Sequence, residues 1–421
     1  MKYADKQKWN TTPVKEKIKW NNVVFTSEVL WYSRRMIKTP EPNYNSKLTD
    51  IIIQLEHLRG RSVSSSTSQQ IFVQLKNLFH IIEALSSARI EGNHTTLAGF
   101  VEKRARKSEN AQNEDESMKE IINLMHALDF IDEHIATMPI GRDFILELHK
   151  IVVSGLTREG DDHTGGFRTK DVSIANSKHT PPSHYDVADL MRELIEYIGG
   201  DTNSRDELLK IALAHHRFVW IHPFGNGNGR TVRLLTYAML CKKGYIEPNT
   251  LRLFNPTAVF AGDRYKYYDM LERADRGDDT GLLDWSEYFL SGIKDETEKT
   301  LRLADSNFVN GKLLLPAISR LNSAGVLTRL ETSILERAVR KKTIKAADIA
   351  DLWDKDVVPS AVANQIKKMR DAGYLATLKE GGREYSINFI DNDLTRLVLD
   401  QMEAEGLLPI RVDDLAKGRT E

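Results

Sequence analysis

The stretch RFVWIHPFGNGNGRTVRLL, residues 217–235, sets glycines 225, 227 and 229 between an aromatic, apolar run and a second helix-like run. Glycines at that spacing let the backbone turn without Cβ clashes, so that successive amide N–H groups can converge on one anion. The run that follows, RTVRLLTYAMLCKK, reads as a helix whose first turn adds unpaired amides and the positive end of its dipole at the same place. Arg230 and Arg233 lie three apart in that turn, so both guanidinium groups can reach one anion, each gripping two oxygens. His222 stands just ahead of the loop, where an imidazole of ordinary pKa, about 6.5, can take a proton from a hydroxyl attacking a bound phosphate. A Walker loop would need Gly-Lys-Ser/Thr and a preceding strand, whereas here Gly229-Arg230-Thr231 follows a helix. Zinc finds no acidic or cysteine partner at ligand spacing near His215, His216 and His222, so the first two read as packing histidines.

Helical periodicity dominates the elements that must position this loop. IFVQLKNLFHIIEAL (71–85) repeats apolar residues at Ile71, Leu75, Leu78, Ile82 and Leu85, and four further stretches carry similar spacing. Residues 165–187 break the pattern: glycine and proline punctuate the short alternation Val172, Ser173, Ile174, which predicts a hairpin or extended flap, with Asp186 as N-cap of the next helix. The fold class is therefore mainly α. With 421 residues and 41% hydrophobic composition the chain can fill more than one core. Fifty-nine Lys and Arg against 60 Asp and Glu leave no global field to draw nucleic acid or anionic lipid. The one cysteine, Cys241, excludes an internal disulfide, fits a reducing compartment, and reads as a small core residue. The first residues lack the apolar run of a signal peptide and nowhere do eighteen apolar residues run together, so the expected location is cytoplasmic, with no membrane contact.

His222-Pro-Phe-Gly-Asn-Gly-Asn-Gly-Arg230, with Arg233 following, closely resembles the signature of the Fic (filamentation induced by cAMP) family, H-P-F-x-(D/E)-G-N-(G/K)-R-x-x-R. The resemblance extends to Leu148-His149, to GGFR and the paired prolines of the flap, and to RYKYYDML at 264–271, covering roughly residues 70–295. It implies a protein adenylyltransferase that moves AMP from ATP, with Mg²⁺, onto a Ser, Thr or Tyr hydroxyl of a protein, itself included. On this resemblance His222 is the base; Gly225, Gly227, Asn228, Gly229, Arg230, Thr231 and Arg233 hold the triphosphate; the 165–182 flap binds the target as an added strand; and Tyr267 or Tyr268 flanks the adenine. Asn226 stands where the family has Asp or Glu to hold the metal. An amide oxygen can ligate a hard cation but brings no charge, which leaves open weak transfer, another donor, or nucleotide binding without transfer. Gly229, where the kinase-like branch has lysine, favours nucleotidyl transfer.

Ser87-x-x-x-Glu91-Gly92 resembles the family's inhibitory motif, (S/T)-x-x-x-E-(G/N), placed ahead of the catalytic domain as in that branch. A carboxylate presented to Arg233 would take the γ-phosphate's partner and hold ATP away from in-line geometry. Whether addition of AMP or its removal, the reverse reaction, dominates is left open. After about residue 300 the order helix, helix, helix and hairpin suggests a winged helix-turn-helix. The expected division is 1–69, an N-terminal helical extension; 70–300, the Fic-like domain with its inhibitory helix; 301–330, a helical linker; 331–395, the winged helix; and 396–421, a tail. Asn364, Gln365, Lys367, Lys368 and Arg370 could read DNA, but basic and acidic residues nearly balance from 331 to 391, so protein docking or a homodimer fits as well. The competing function is a nucleotide-sensing transcriptional regulator with Asn226 marking lost catalysis.

Overall fold

The computed structural model describes residues 17–20, 23–26, 37, 39–60, 66–105, 115–174, 177–201, 203–247, 254–353 and 357–413. Residues 1–16 of the expected N-terminal extension and residues 414–421 of the expected tail lie outside them. The elements are mainly helical. In chain order they are the antiparallel pair β1 (Lys17–Trp20) and β2 (Val23–Thr26), α1 (Lys47–Gly60), α2 (Gln69–Ile90), α3 (Leu97–Ala105), α4 (Glu116–His134) and α5 (Arg142–Val152). Then come α6 (His184–Gly199), α7 (Ser204–Ile221), α8 (Asn228–Lys242), α9 (Arg264–Ala274) and α10 (Asp279–Leu301).

α8 is the hub. Every residue from Arg230 to Leu240 is buried, the mark of a helix enclosed on all sides, and α2, α4, α5 and α7 surround it. α2 starts at Ser68, whose hydroxyl accepts from the Ile71 amide, and runs further than the apolar repeat at 71–85 because its C-terminal half also buries His80, Glu83, Ser86 and Ser87. Three of them, His80, Glu83 and Ser87, are partnered across the core. Both ring nitrogens of His80 face carboxylates, of Asp129 and Asp132, each at 3.2 Å, and Glu83 takes the backbone amide and hydroxyl of Thr257. A second core gathers around Trp285 of α10, which donates to the Ala212 carbonyl at 2.7 Å and packs with His215, Phe260, Tyr267 and Phe289.

Several expectations are corrected. Among the described residues the strands are Lys17–Trp20, Val23–Thr26, Leu375–Thr377 and Tyr385–Ile387, and none falls in the 165–187 segment. Its alternation is too short to pair, while its polar groups bond to neighbouring loops instead, Asp171 taking the His184 amide at 2.8 Å. That contact helps α6 begin at His184 with Ser183 as its N-cap, so Asp186 lies in the first turn and is not the cap. The N-terminal extension expected to be helical has a hairpin at 17–26 before α1.

Beyond α10, the 301–330 linker consists of short 3-10 and α turns, a π-helical stretch (Val309–Leu314), and α11 (Leu315–Ser323). The π widening falls immediately before Pro316, whose ring crowds the preceding turn and supplies no N–H. α12 (Arg329–Lys341) opens with a capping box between Thr328 and Glu331. IKAADIADLW forms two 3-10 turns, 346–348 and 350–352, where a helix was expected. α13 (Pro359–Asp371) leads to the antiparallel pair β3 (Leu375–Thr377) and β4 (Tyr385–Ile387), with Ile344 bridging to Tyr385. α14 (Asp393–Ala404) then packs on α3 and α11, so residues 396–404 are a docked helix and not a tail.

Candidate active site

α7 ends at Ile221 because His222 turns left-handed, φ 51° and ψ 62°, a conformation that costs a residue with a Cβ about 1–2 kcal/mol. Pro223 follows and cannot continue the ladder. Gly227 turns the chain again at φ 76°, and a Cβ there would lie 2.9 Å from Val153 Cγ1, so the loop presses on the end of α5. Phe224 is fully buried and stacks on His149 at 3.7 Å between ring centres, anchoring the loop.

Most of the loop's amides already have acceptors. The Asp161 carboxylate takes Gly225 N at 2.8 Å and Asn226 N at 3.1 Å, Asn226 Oδ1 takes Gly227 N at 2.7 Å, and Asn228 Oδ1 takes Phe224 N at 2.9 Å. The expectation that Gly225 and Gly227 cradle phosphate through their amides is therefore corrected: both amides serve the loop's own shape. The donors left for an anion are those at the start of α8, on Asn228, Gly229 and Arg230, which have no intrahelical acceptor. Thr231 N closes onto Gly227 O at 2.9 Å and begins the ladder. Its side chain is fully buried, out of reach of a ligand at the loop, so it is also removed from the phosphate set.

The two arginines are both engaged. Arg233, 1% exposed, donates Nε to Ser87 Oγ at 2.9 Å and Nη2 to Ser87 O at 3.0 Å and to Glu91 Oε1 at 2.7 Å. Glu91 Oε1 also lies so close to Gly229 that a Cβ on that glycine would come within 2.1 Å of it. The carboxylate thus sits over the first turn of α8, where an anionic ligand would be received. Burial works against the charge on Glu91, but Arg233 outweighs it and holds the carboxyl below its usual range. Gly92, at φ 100°, closes α2 with the paired bonds Gly92 N to Arg89 O and Asn93 N to Ala88 O, a left-handed stop that favours glycine. The structure brings Ser87 and Glu91 of the inhibitory motif to Arg233, and Glu91 to Gly229, while Gly92 forms the helix stop that follows them.

Arg230 turns the other way. Its guanidinium bonds Glu120 at 2.9 Å, Glu159 O at 3.0 Å and Asn226 Oδ1 at 3.3 Å, and Glu120 in turn takes Asn93 Nδ2 at 2.8 Å. Asn226 Oδ1 therefore accepts two donors from its own loop and does not present its oxygen to a cation. The metal assignment at Asn226 does not fit this arrangement, and among the described residues no group of three or more His, Cys, Asp or Glu could hold a metal ion.

His222 keeps Nδ1 3.4 Å from Val219 O, which favours the tautomer with Nδ1 protonated and Nε2 able to accept a proton. Burial pushes its pKa down to about 4, opposed by the Val219 carbonyl and Glu91 and reinforced by Arg168, so the ring is neutral at pH 7 and competent as a base. Tyr267 is corrected: it is 2% exposed, its hydroxyl bonds His215 Nε2 at 2.9 Å, and it belongs to the core around Trp285. Tyr268 is 45% exposed and remains free to meet a ligand. His215 and His216 are satisfied by Thr236 with Tyr267, and by Asp275. Asp161, Glu120, Asn93 and Arg168 were missed by sequence reasoning, since nothing in the spacing of an isolated acid or amide announces a partner so far along the chain.

Residues 139–240 match the model of the Fic/DOC family. The protein adenylyltransferase Fic of Drosophila grimshawi is 33% identical over 261 residues, 60% of this chain and 48% of that protein. The enzyme of the same name from Aedes aegypti is 31% identical over 264 residues, 59% of this chain and 46% of that one. The chain spans about half the length of the curated relatives it matches. Among solved structures, a Fic family protein from Desulfovibrio desulfuricans G20 shares the fold with a TM-score of 0.50 at 17% identity, covering 83% of this chain and 98% of that one.

Proposed function

We propose that the chain is a protein adenylyltransferase that moves AMP from ATP to a Ser, Thr or Tyr hydroxyl of a protein and is held in check by its own Glu91. The observation that carries the reading is the contact of Glu91 with both Arg233 and the first turn of α8, beside a neutral His222. A carboxylate occupies the place built for a phosphate, so the inhibitor itself marks the substrate's position. Names of the curated relatives agree with the reaction. In the reaction His222 Nε2 takes the proton of the target hydroxyl, its oxygen bonds the α-phosphorus, and the bond to the bridging oxygen breaks to release pyrophosphate. With Glu91 displaced, Arg233 is free to hold the γ-phosphate, which sets the α-phosphorus in line for attack. Mg²⁺ would enter with the nucleotide, but Asn226 supplies no free oxygen for it and no step is assigned to it. Tyr268 is the aromatic side chain left to flank the adenine, and the 165–182 segment the one to receive the target.

Incubation with ATP labelled at the α-phosphate tests this. Glu91→Gly is expected to raise label on protein hydroxyls at least tenfold, and His222→Ala in that background to abolish it; no label with either parent or Glu91→Gly ends the proposal. Reading the chain as a nucleotide-sensing regulator that binds DNA gains nothing from the C-terminal region. There Lys341, Lys345, Lys368 and Arg370 are each paired with an acid, which weakens any attraction to phosphate backbones. We further propose that 331–395 is a winged helix used for packing within this chain, and that the protein acts in the cytoplasm; no described helix is long and apolar enough to cross a membrane.

A further inference from the structure

Arg168 lies outside the glycine loop, yet its side chain, 5% exposed, spends its donors on three backbone carbonyls. Nε donates to His222 O at 2.8 Å, Nη1 to Lys170 O at 3.0 Å and Nη2 to Pro182 O at 2.5 Å, while its own amide donates to Pro223 O at 2.8 Å. Its nearest carboxylate, Asp171, is 3.7 Å away and largely exposed. A buried cation with no buried counter-ion is a poor way to gain stability. Its directional bonds are what it offers.

Those bonds meet at two places that the proposed reaction uses. His222 is left-handed, and this conformation turns its carbonyl out of the α7 ladder. Its amide is fixed by Phe218 O at 3.0 Å and its carbonyl by Arg168, so the imidazole hangs from a backbone held on both sides. The other two bonds join Lys170 to Pro182, two points within the 165–182 segment proposed to receive the target. We propose that Arg168 is a positioning residue that sets the catalytic His222 and the base of the target-binding segment against each other through one planar group. The inference rests on the adenylyl-transfer reading for its kinetic consequences, and on geometry alone for its structural ones. Arg suits the task where Lys does not: its fork points donors in fixed, separate directions, whereas an ammonium on a flexible stem can satisfy one or two of the carbonyls and leaves the rest unmet.

The test uses the full chain carrying Glu91→Gly, with Arg168→Lys and Arg168→Ala added separately. A loss of alignment at the base and at the target predicts that kcat for labelling falls about a hundredfold and that KM for a protein or peptide acceptor rises. The Kd for ATP, bound at α8, stays within about threefold. Thermal melting identifies any variant that fails to fold, and Arg168→Lys, which keeps the charge and most of the stem, is the decisive one. A folded Arg168→Lys protein with the parent's kcat overturns the proposal, as does a loss that appears wholly in ATP affinity. If the Glu91→Gly parent transfers no label, the adenylyl-transfer reading fails and the positioning claim is read separately. Imidazole NMR then follows the His222 ring, which faces Glu91, Arg168 and His179, and limited proteolysis probes 168–184. A changed His222 ring signal and faster cleavage in Arg168→Lys uphold the claim; an unmoved ring and unchanged cleavage overturn it.

Discussion

At the scale of single residues, the site turns on which protonation state its groups keep. His222 has a pKa of about 4 because burial disfavours the imidazolium, so it stays neutral, and available as a base, down to a lower pH than a free histidine. In Glu91→Gly, which also removes an anion that raises that pKa, the acid limb of kcat/KM is expected below about pH 5, not near 6.5. A limb centred near 6.5, measured by label incorporation across pH, would contradict this. The sign for stability follows from the same depression. An unfolded His222 binds a proton below about pH 6.5 and the folded one does not until about pH 4, so its contribution is held above 6.5 and lost as pH falls through that window. His149, pushed down to about 4 mainly by burial, adds to the loss over the same range.

At the scale of elements, the inhibitory helix is held by its ends and by its polar face. Gly92 sits at φ 100° with open space where a Cβ would go, so Gly92→Ala is a test of backbone strain without a clash. A cost of about 1 kcal/mol or more is expected at this helix stop, seen as a lower melting temperature, with a rise in self-labelling smaller than that of Glu91→Gly. An unchanged labelling rate would show that the last turn of α2 keeps Glu91 seated regardless. The glycine loop and its flanking helices were legible because residue type and spacing report local backbone needs, whereas the Ser87–Glu91 motif was read only through its resemblance to a family pattern. The partners that complete the site were not: Asp161 beneath Gly225, Glu120 on Arg230 and Arg168 on His222 are chosen by the packing of helices far apart in sequence. Tyr267 and Thr231 show the converse, since each has chemistry suited to a ligand and each is enclosed by the core. The segment 165–187 carried a strand-like alternation too short to overcome its turns.

At the scale of the whole molecule, α2 and α3 are tied to the C-terminal elements. Gln74 uses both ends of its amide on the backbone at the end of β4 and just after it, donating to Ile387 O at 2.9 Å and accepting from Phe389 N at 2.8 Å. Arg104 pairs with Asp391 at 2.8 Å, Arg396 with Glu102 at 2.6 Å, and Ala98 N donates to Val412 O at 3.2 Å. Gln74→Ala strands one carbonyl and one amide, a cost of about 1–3 kcal/mol. The expected result is a melting temperature lower by a few degrees, with amide exchange faster at 385–391 than elsewhere; uniform exchange would place the seam's strength in the ion pairs instead.

Gln74 and Glu91 ride the same unbroken helix, about 25 Å apart along its axis. Were the two ends coupled, the coupling would be reciprocal: as far as an arriving triphosphate loosened the hairpin, the hairpin's departure would favour the triphosphate.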